Sequence, residues 1–380
     1  MPEPRQLLIA VNARDDLDRA AVCRLAQELD AWSNAKEPPE RLARRLGVPA
    51  AQLCKALDVI PRAETLAKAE SDRADDLGAR LVTCLDDEYP TALRDLHLPP
   101  PVLYIQGELP AGPAVAVVGS RKATDYGLEA AAFLGRSLAE TGLTVVSGFA
   151  RGVDAAAHRG ALTVSGGRTV AVLGTGIDIL YPRGHTQLGR AIAASGARIS
   201  EFPVGWLPRP WSFPIRNRLI AALARGTVVV EAAARSGSLI TAHHALELGR
   251  EVFAIPGRIF DDKAQGPNGL IRDGATLVQH PADVLDALGL GRLGFGRGRS
   301  EEGPGQTALP APPAPTETRP LPGGLAGKLL EHLPAGTRRS PDDLAMLTGT
   351  SMDQVLGELL ELELQGWLRR HPGPLYGRGG

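Results

Sequence analysis

Aromatic residues are scarce in this chain, at 4% of its 380 residues, so each exposed ring carries more information than usual. Neither sign of charge is in excess: 42 Lys and Arg stand against 43 Asp and Glu, for a net charge of −1. The chain as a whole is therefore not a polycation of the kind that coats nucleic acid, and any anion site must be a local patch. Cysteine is almost absent. Cys23, Cys54 and Cys84 are odd in number and widely spaced, which gives neither a disulfide framework nor a CxxC metal pair and suits a reducing, cytoplasmic setting. The N-terminal LLIAV run is too short for a signal peptide, and no apolar run is long enough to span a membrane.

What is present is a soluble composition, 43% hydrophobic and 22% charged, over a length sufficient for two or three domains. Up to about Asp76 the chain reads as short helices. PPERLARRLG and PAAQLCKALD each set a proline near a helix start, followed by apolar spacings of three and four. From Val115 the pattern changes. VAVVGSR, LTVVSGFARG, TVAVLGTG, ARISEF, TVVVEAAARSGS and EVFAIPG are apolar, β-branched runs, and Ala-rich helical stretches alternate with them. This alternation predicts a Rossmann-like, doubly wound, mostly parallel α/β sheet over 81–290, with the lead-in LDDEYPTALRDLHLPPPVLYIQG docked on it.

Residues 291–322 are rich in Gly and Pro and predict a flexible or polyproline-like linker. Within it, GRLGFGRGRS carries three arginines and one phenylalanine. That is either a solubilising sequence or a weak nucleic-acid contact. Over 323–378, three helical patterns with Ser340 and Ser351 at N-cap positions precede a strand–turn–strand, the pattern of a winged helix.

In an open parallel sheet, ligands bind beyond the carboxyl ends of the strands. The loops expected there are Gly119-Ser120-Arg121-Lys122, Ser147 to Gly152 with Arg151, Gly174-Thr175-Gly176, and Ser236-Gly237-Ser238. Small turns before helices offer orphan N–H groups and a favourable dipole to phosphate, and Arg121 and Lys122 add formal charge. VAVVGSRKATDYG lacks the G-x-G-x-x-G fingerprint and no Walker A loop is present, so no nucleotide cofactor is expected. Asp154 with His158, and His243 with His244, form no ligand cluster, so no metal is expected. No G-x-S-x-G elbow occurs, so no catalytic residue is assigned.

The stretch WSFPIRNRLIAAL poses a separate question. Phe213 precedes Arg216, Asn217 and Arg218 at an expected helix start. On one reading a nucleotide strand binds here, with a base on Phe213 and successive phosphates on the arginines. On the other, Phe213 is core and the arginines pair with Glu201 or Glu231.

Together VAVVGSRKATDYG, VVSGFARGVDAAAH, SFPIRNRLIAAL and EAAARSGSLITAHHALELGREVFAIPG resemble the DprA (Smf) family of DNA-processing proteins of bacterial natural transformation. The resemblance implies an N-terminal SAM-like helical domain over 1–80, the Rossmann-like domain, and a C-terminal winged helix. It also implies binding of single-stranded DNA without sequence preference, without turnover, and loading of the RecA recombinase. A homodimer through the Rossmann-like domain follows from it, with single-stranded-DNA-binding protein and weak duplex contact as further partners. The site it implies is Ser120, Arg121, Lys122, Arg151, Phe213, Arg216, Asn217, Arg218, Ser236, Gly237 and Ser238. Where some members carry a lysine three residues before the aromatic, this chain has Pro210, with Arg209 beside it. A rival from the same fold family is the nucleotide phosphoribohydrolases. Their loop glutamate has no counterpart in ARSGSLITAHHALE, where Thr241 stands near that place and Glu247 comes too late.

Overall fold

The computed structural model describes residues 2–291, 322–334, 337–371 and 375–378. The Gly/Pro-rich segment read as a linker, with its GRLGFGRGRS stretch, lies outside the described residues apart from its two ends. The chain divides into two compact units, Met1–Arg299 and Ser300–Gly380.

The first unit opens with α1 (Pro4–Asn12), α2 (Arg19–Gln27), α3 (Leu29–Ser33), α4 (Pro39–Leu46), α5 (Ala50–Leu57) and α6 (Ala63–Asp76). Pro39 stands at the first turn of α4, and Gly47 ends that helix in the left-handed region at φ 64°, where a Cβ is disfavoured. Asp18 caps α2 by accepting from the amides of Ala20 and Ala21.

The sheet follows: β1 (Ala79–Thr83), the short α7 (Thr91–Arg94), β2 (Val102–Gly107), β3 (Ala114–Val118), α8 (Asp125–Glu140), β4 (Thr144–Ser147), α9 (Val153–Leu162) and β5 (Thr169–Val172). Then come α10 (Thr186–Ser195), β6 (Ala197–Ser200), α11 (Ser212–Leu223), β7 (Gly226–Val229), α12 (Gly237–Glu247), β8 (Glu251–Ala254), α13 (Gln265–Arg272), β9 (Thr276–Leu277) and α14 (Pro281–Ala287). The strand order is β1-β2-β6-β5-β4-β3-β7-β8-β9. From β6 to β9 all neighbours are parallel, whereas β1 and β2 join the β6 edge antiparallel. The lead-in thus supplies one strand of the sheet itself, β2, and β1 just before it adds the edge.

Continuous apolar strands such as Ala114–Val118 are buried along their whole length, because helices cover both faces. On one face α8 and α9 approach backbone to backbone. A Cβ on Gly135 would meet the Ala157 carbonyl, and one on Gly160 would meet that of Ala132. The helical module shares a core with the sheet: Leu7, Ile9, Leu25, Trp32 and Leu53 belong to one buried cluster with Tyr104, Phe149 and Leu173. Across that boundary the Tyr104 hydroxyl lies 2.8 Å from Glu70 Oε1, which also accepts from the Val204 amide at 2.9 Å.

The second unit comprises α15 (Gly324–Glu331), β10 (Arg338–Arg339), α16 (Pro341–Thr348), α17 (Met352–Leu364), β11 (Leu368–His371) and β12 (Leu375–Arg378). The sheet runs β10-β12-β11 and is antiparallel throughout, around a core that includes Leu329, Leu344, Val355 and Leu359. This is a winged helix, with a short strand, β10, that the sequence pattern does not announce. Ser340 caps α16 in a reciprocal box with Asp343. Ser351 stands at the N-cap of α17 without capping it, since its hydroxyl donates to Gln354 Oε1 instead.

Candidate nucleic-acid interface

The chain leaves β3 toward β4, β5 and β6 on one side and resumes at β7 toward β8 and β9 on the other, so the winding reverses between β3 and β7. At such a switch point the loops part and leave a crevice beyond the strand ends. The loop after β3 is pinned at both ends. Gly119 sits so tightly that a Cβ would lie 2.7 Å from Val153 Cγ2 and 2.9 Å from the Glu231 carbonyl. At the far end, the carboxylate of Glu231, two residues past β7, accepts from the Thr124 amide at 2.9 Å and from the Thr124 hydroxyl. Thr124 itself caps α8 by accepting from the Gly127 amide. Between these anchors Arg121 and Lys122 are exposed, and neither forms an ion pair among the described residues.

The loop after β4 carries Phe149 at φ 61°, an uncommon conformation for a bulky residue, with its ring fully buried against His185. Gly152, at φ 75°, lies against the Ser120 carbonyl so closely that no side chain would fit. The two loops are thereby locked together, and Arg151 is left exposed beside Arg121 and Lys122. Asp154 is buried and accepts from the Ala150 amide at 3.2 Å. Burial raises its pKa, opposed by the nearby Arg216 guanidinium.

The RNR triplet corrects part of the sequence reading. Arg216 is 3% exposed and aims inward, donating to the Gly148 carbonyl at 2.6 Å and to the Val172 carbonyl. Burial lowers its pKa to about 10, so it is still charged at neutral pH. It braces the ends of β4 and β5 through two backbone carbonyls while also lining the larger cavity of the crevice. Arg218 pairs with Glu201 at 2.5 Å, as the alternative reading had it, and is turned toward Cys23 of α2. Asn217 donates to the Gly237 carbonyl at 3.1 Å and ties α11 to α12. Helix geometry sends successive residues to different faces, which is why one contiguous triplet performs three separate tasks.

Phe213, by contrast, is half-buried at the surface and not in the core. Its ring lies against Gly174, where a Cβ would come within 2.7 Å. The Arg121 guanidinium is 5.0 Å from its centroid, and the Tyr181 ring is 5.6 Å away at a tilt of 39°. Gly174-Thr175-Gly176 therefore acts as a seat for the ring; it leads into a long loop and not directly into a helix. Ser236, half-buried, is the N-cap of α12, and Gly237 is exposed at its first position.

Two cavities meet at the Arg121–Phe213 pair. One, of about 600 Å³, is lined by Ser120, Arg121, Lys122, Phe213, Arg235, Ser236 to Ser238 and Lys263, with Asp154 and Asp262 as its carboxylates. The other, of about 290 Å³, is lined by Arg121, Lys122, Gly148, Ala150, Arg151, Tyr181, Pro182 and Phe213. The structure thus brings together Ser120, Arg121, Lys122, Phe213, Arg216, Asn217 and the serine loop, with Arg151 on the smaller cavity. It adds Tyr181, Arg235 and Lys263, which sequence reasoning missed. The available signal for Tyr181 was the scarcity of aromatics in a glycine-flanked loop.

Among the described residues no group of three His, Cys, Asp or Glu side chains could hold a metal. His158 is fully buried with Nδ1 2.7 Å from Thr169 Oγ1, and His244 lies against Glu247. No helix among the described residues is long and apolar enough to cross a membrane.

A family model described as DNA recombination-mediator protein A matches residues 80–289, and one described as DprA winged helix domain matches 309–374. The chain is 40% identical over 296 residues to Protein Smf of Escherichia coli, an alignment covering 77% of this chain and 76% of that protein. It is 45% identical over 203 residues to DNA processing protein DprA of Streptococcus pneumoniae, covering 53% and 71%. In structure it is similar to DNA processing protein A of Streptococcus pneumoniae, with a TM-score of 0.64 and 34% identity over 75% of this chain and 98% of that one. It is also similar to DNA processing protein A of Helicobacter pylori, described for its single-stranded DNA binding mode, with a TM-score of 0.50 and 30% identity over 55% and 95% of the two chains.

Proposed function

The chain belongs to the DNA recombination-mediator protein A (DprA/Smf) family, and from that premise we propose that it binds single-stranded DNA across the switch-point crevice, without sequence preference and without turnover. The observation that carries this reading is the loop after β3. It holds Arg121 and Lys122 out of any ion pair among the described residues, directly beside the half-exposed Phe213 ring. Cations take phosphate and the ring takes a base face. This pairing binds a strand with little regard to sequence, because every nucleotide offers both. The strand site comprises Ser120, Arg121, Lys122, Arg151, Phe213, Asn217 and the Ser236-Gly237-Ser238 cap, with Arg216 bracing its floor and Arg218 tied to Glu201.

The domain limits that go with this are a helical module over 1–80, a DNA-binding sheet domain over 81–290 and a winged helix over 323–378. Kinship supports the finer assignment: protection of incoming DNA in natural transformation, loading of RecA, a homodimer through the sheet domain, and a cytoplasmic setting. Exchange with single-stranded-DNA-binding protein accompanies that role.

The phosphoribohydrolase reading has less support. Thr241 is buried, and Glu247 is exposed at the end of α12 beside His244, away from the crevice. The test uses the purified chain with a labelled oligothymidylate and, separately, with nucleoside monophosphates. The expected result is a shifted oligonucleotide and no ribose 5-phosphate. Release of ribose 5-phosphate without a shift overturns the proposal.

A further inference from the structure

The smaller of the two cavities differs in chemistry from the larger. Its lining holds three cationic residues, two aromatic rings and no carboxylate. The larger cavity mixes its cations with Asp154 and Asp262 and gathers the small loops and the N-terminus of α12. A second difference lies in the rings. Phe213 is already engaged by Gly174 and Arg121 and by Tyr181. Tyr181 is 46% exposed, so much of its ring still faces solvent. A gap wide enough for a base does not exist between the two rings, whose centroids are 5.6 Å apart. A flat ligand must instead continue the stack on the open part of Tyr181.

We propose that the slot formed by Tyr181, Pro182 and the cations Arg121, Lys122 and Arg151 takes one nucleobase of the bound strand, stacked on Tyr181, while the larger cavity takes phosphate. This rests on the single-strand reading above and deepens it. Phe213 then has two tasks, offering its exposed surface to the strand and supporting the Tyr181 ring from behind. Arg121, which lines both cavities, sits where the backbone passes from one to the other. A slot of about 290 Å³ is at the small end of ligand pockets and accommodates one heterocycle with its sugar outside.

The test compares wild type, Tyr181→Ala and Tyr181→Phe on two strands with the same number of phosphates, oligothymidylate and an abasic analogue. Stacking on an aromatic is lost on truncation to alanine and kept by phenylalanine. Tyr181→Ala is expected to weaken oligothymidylate binding roughly five- to hundredfold, to leave the abasic strand nearly unchanged, and to be rescued by Tyr181→Phe. Equal weakening on both strands makes Tyr181 a strut for its loop and overturns the proposal. Unchanged oligothymidylate binding by Tyr181→Ala also overturns it, while the single-strand reading survives. If wild type binds neither strand, that underlying reading fails, and the slot assignment falls with it.

Discussion

Replacing Arg216 separates the brace from the strand site. Arg216→Ala removes the donor from two buried carbonyls, those of Gly148 and Val172, and leaves Asp154 buried without its neighbouring cation. An unsatisfied buried polar group costs about 1–3 kcal/mol. Losing the cation nearest a buried carboxylate raises this toward the roughly 3–5 kcal/mol of a broken buried charge pair. All three effects come from one guanidinium and are not additive, so the expected destabilisation is about 3–5 kcal/mol. With a urea dependence near about 3 kcal/mol per molar, the unfolding midpoint falls by roughly 1–2 M. Arg121→Ala is the counterpart. Its side chain is exposed, outside any ion pair among the described residues and set over the Phe213 ring, so stability stays within about 0.5 kcal/mol while strand affinity falls. Urea melts and oligothymidylate titrations on both variants provide the comparison. The reasoning is refuted if Arg216→Ala melts like wild type and loses strand affinity, because Arg216 would then be a ligand in solution.

Three further outcomes follow. Phe213→Ala should weaken single-strand binding by about 1–3 kcal/mol for oligonucleotides of any base composition with the salt dependence unchanged, whereas Arg121→Ala should reduce the salt slope by about 0.7; an unfolded Phe213→Ala would mark the ring as core. A chain ending near Leu290 should keep single-strand affinity within about threefold of full length, since α17 presents Asp353, Glu358, Glu361 and Glu363 and no cation; a loss above about tenfold, roughly 1.4 kcal/mol, with the truncated chain still folded, would assign the winged helix a direct role. Burial lowers the His158 pKa to about 3, below the value near 6.5 of an unfolded chain; the unfolded state then binds more protons as pH falls from 6.5, so stability should drop by about 2 kcal/mol from this group by pH 5, and His158→Gln should remove that part of the pH dependence in urea melts.

The sheet was legible because strands buried on both faces must be apolar throughout, and Val115 to Val118 or Thr227 to Val230 admit no other reading in an alternating pattern. β1 and β2 were harder. They are antiparallel strands around a proline-rich lead-in, and only the pairing of β2 with β6 and of β1 with β2 reveals them. The two-residue β10 has no periodicity to detect. At the site, the glycine turns and the cations of the loop after β3 could be read directly, since close backbone approach and unpaired charge both leave a mark in residue type. The orientation of the RNR triplet could not. Whether an arginine faces solvent or two carbonyls depends on its angle around α11 and on what the loop after β4 does, and Phe149 at positive φ determines the latter. Tyr181 escaped for the related reason that its loop crosses from β5 toward α10 and meets Phe213 only in three dimensions. On the β11–β12 hairpin of the winged helix, Arg378 donates to the Leu330 carbonyl.

The central claim is that a few exposed cations and an aromatic surface hold a single strand in the switch-point crevice. The most direct measurement is the affinity for a single-stranded and a double-stranded oligonucleotide of equal length, each titrated over salt concentration. The account predicts tighter binding of the single strand, because only unpaired bases can reach an aromatic face. It also predicts affinity falling with salt, with a slope of roughly 0.7 per phosphate neutralised. Equal affinity for the two forms, or a flat salt dependence, would contradict it.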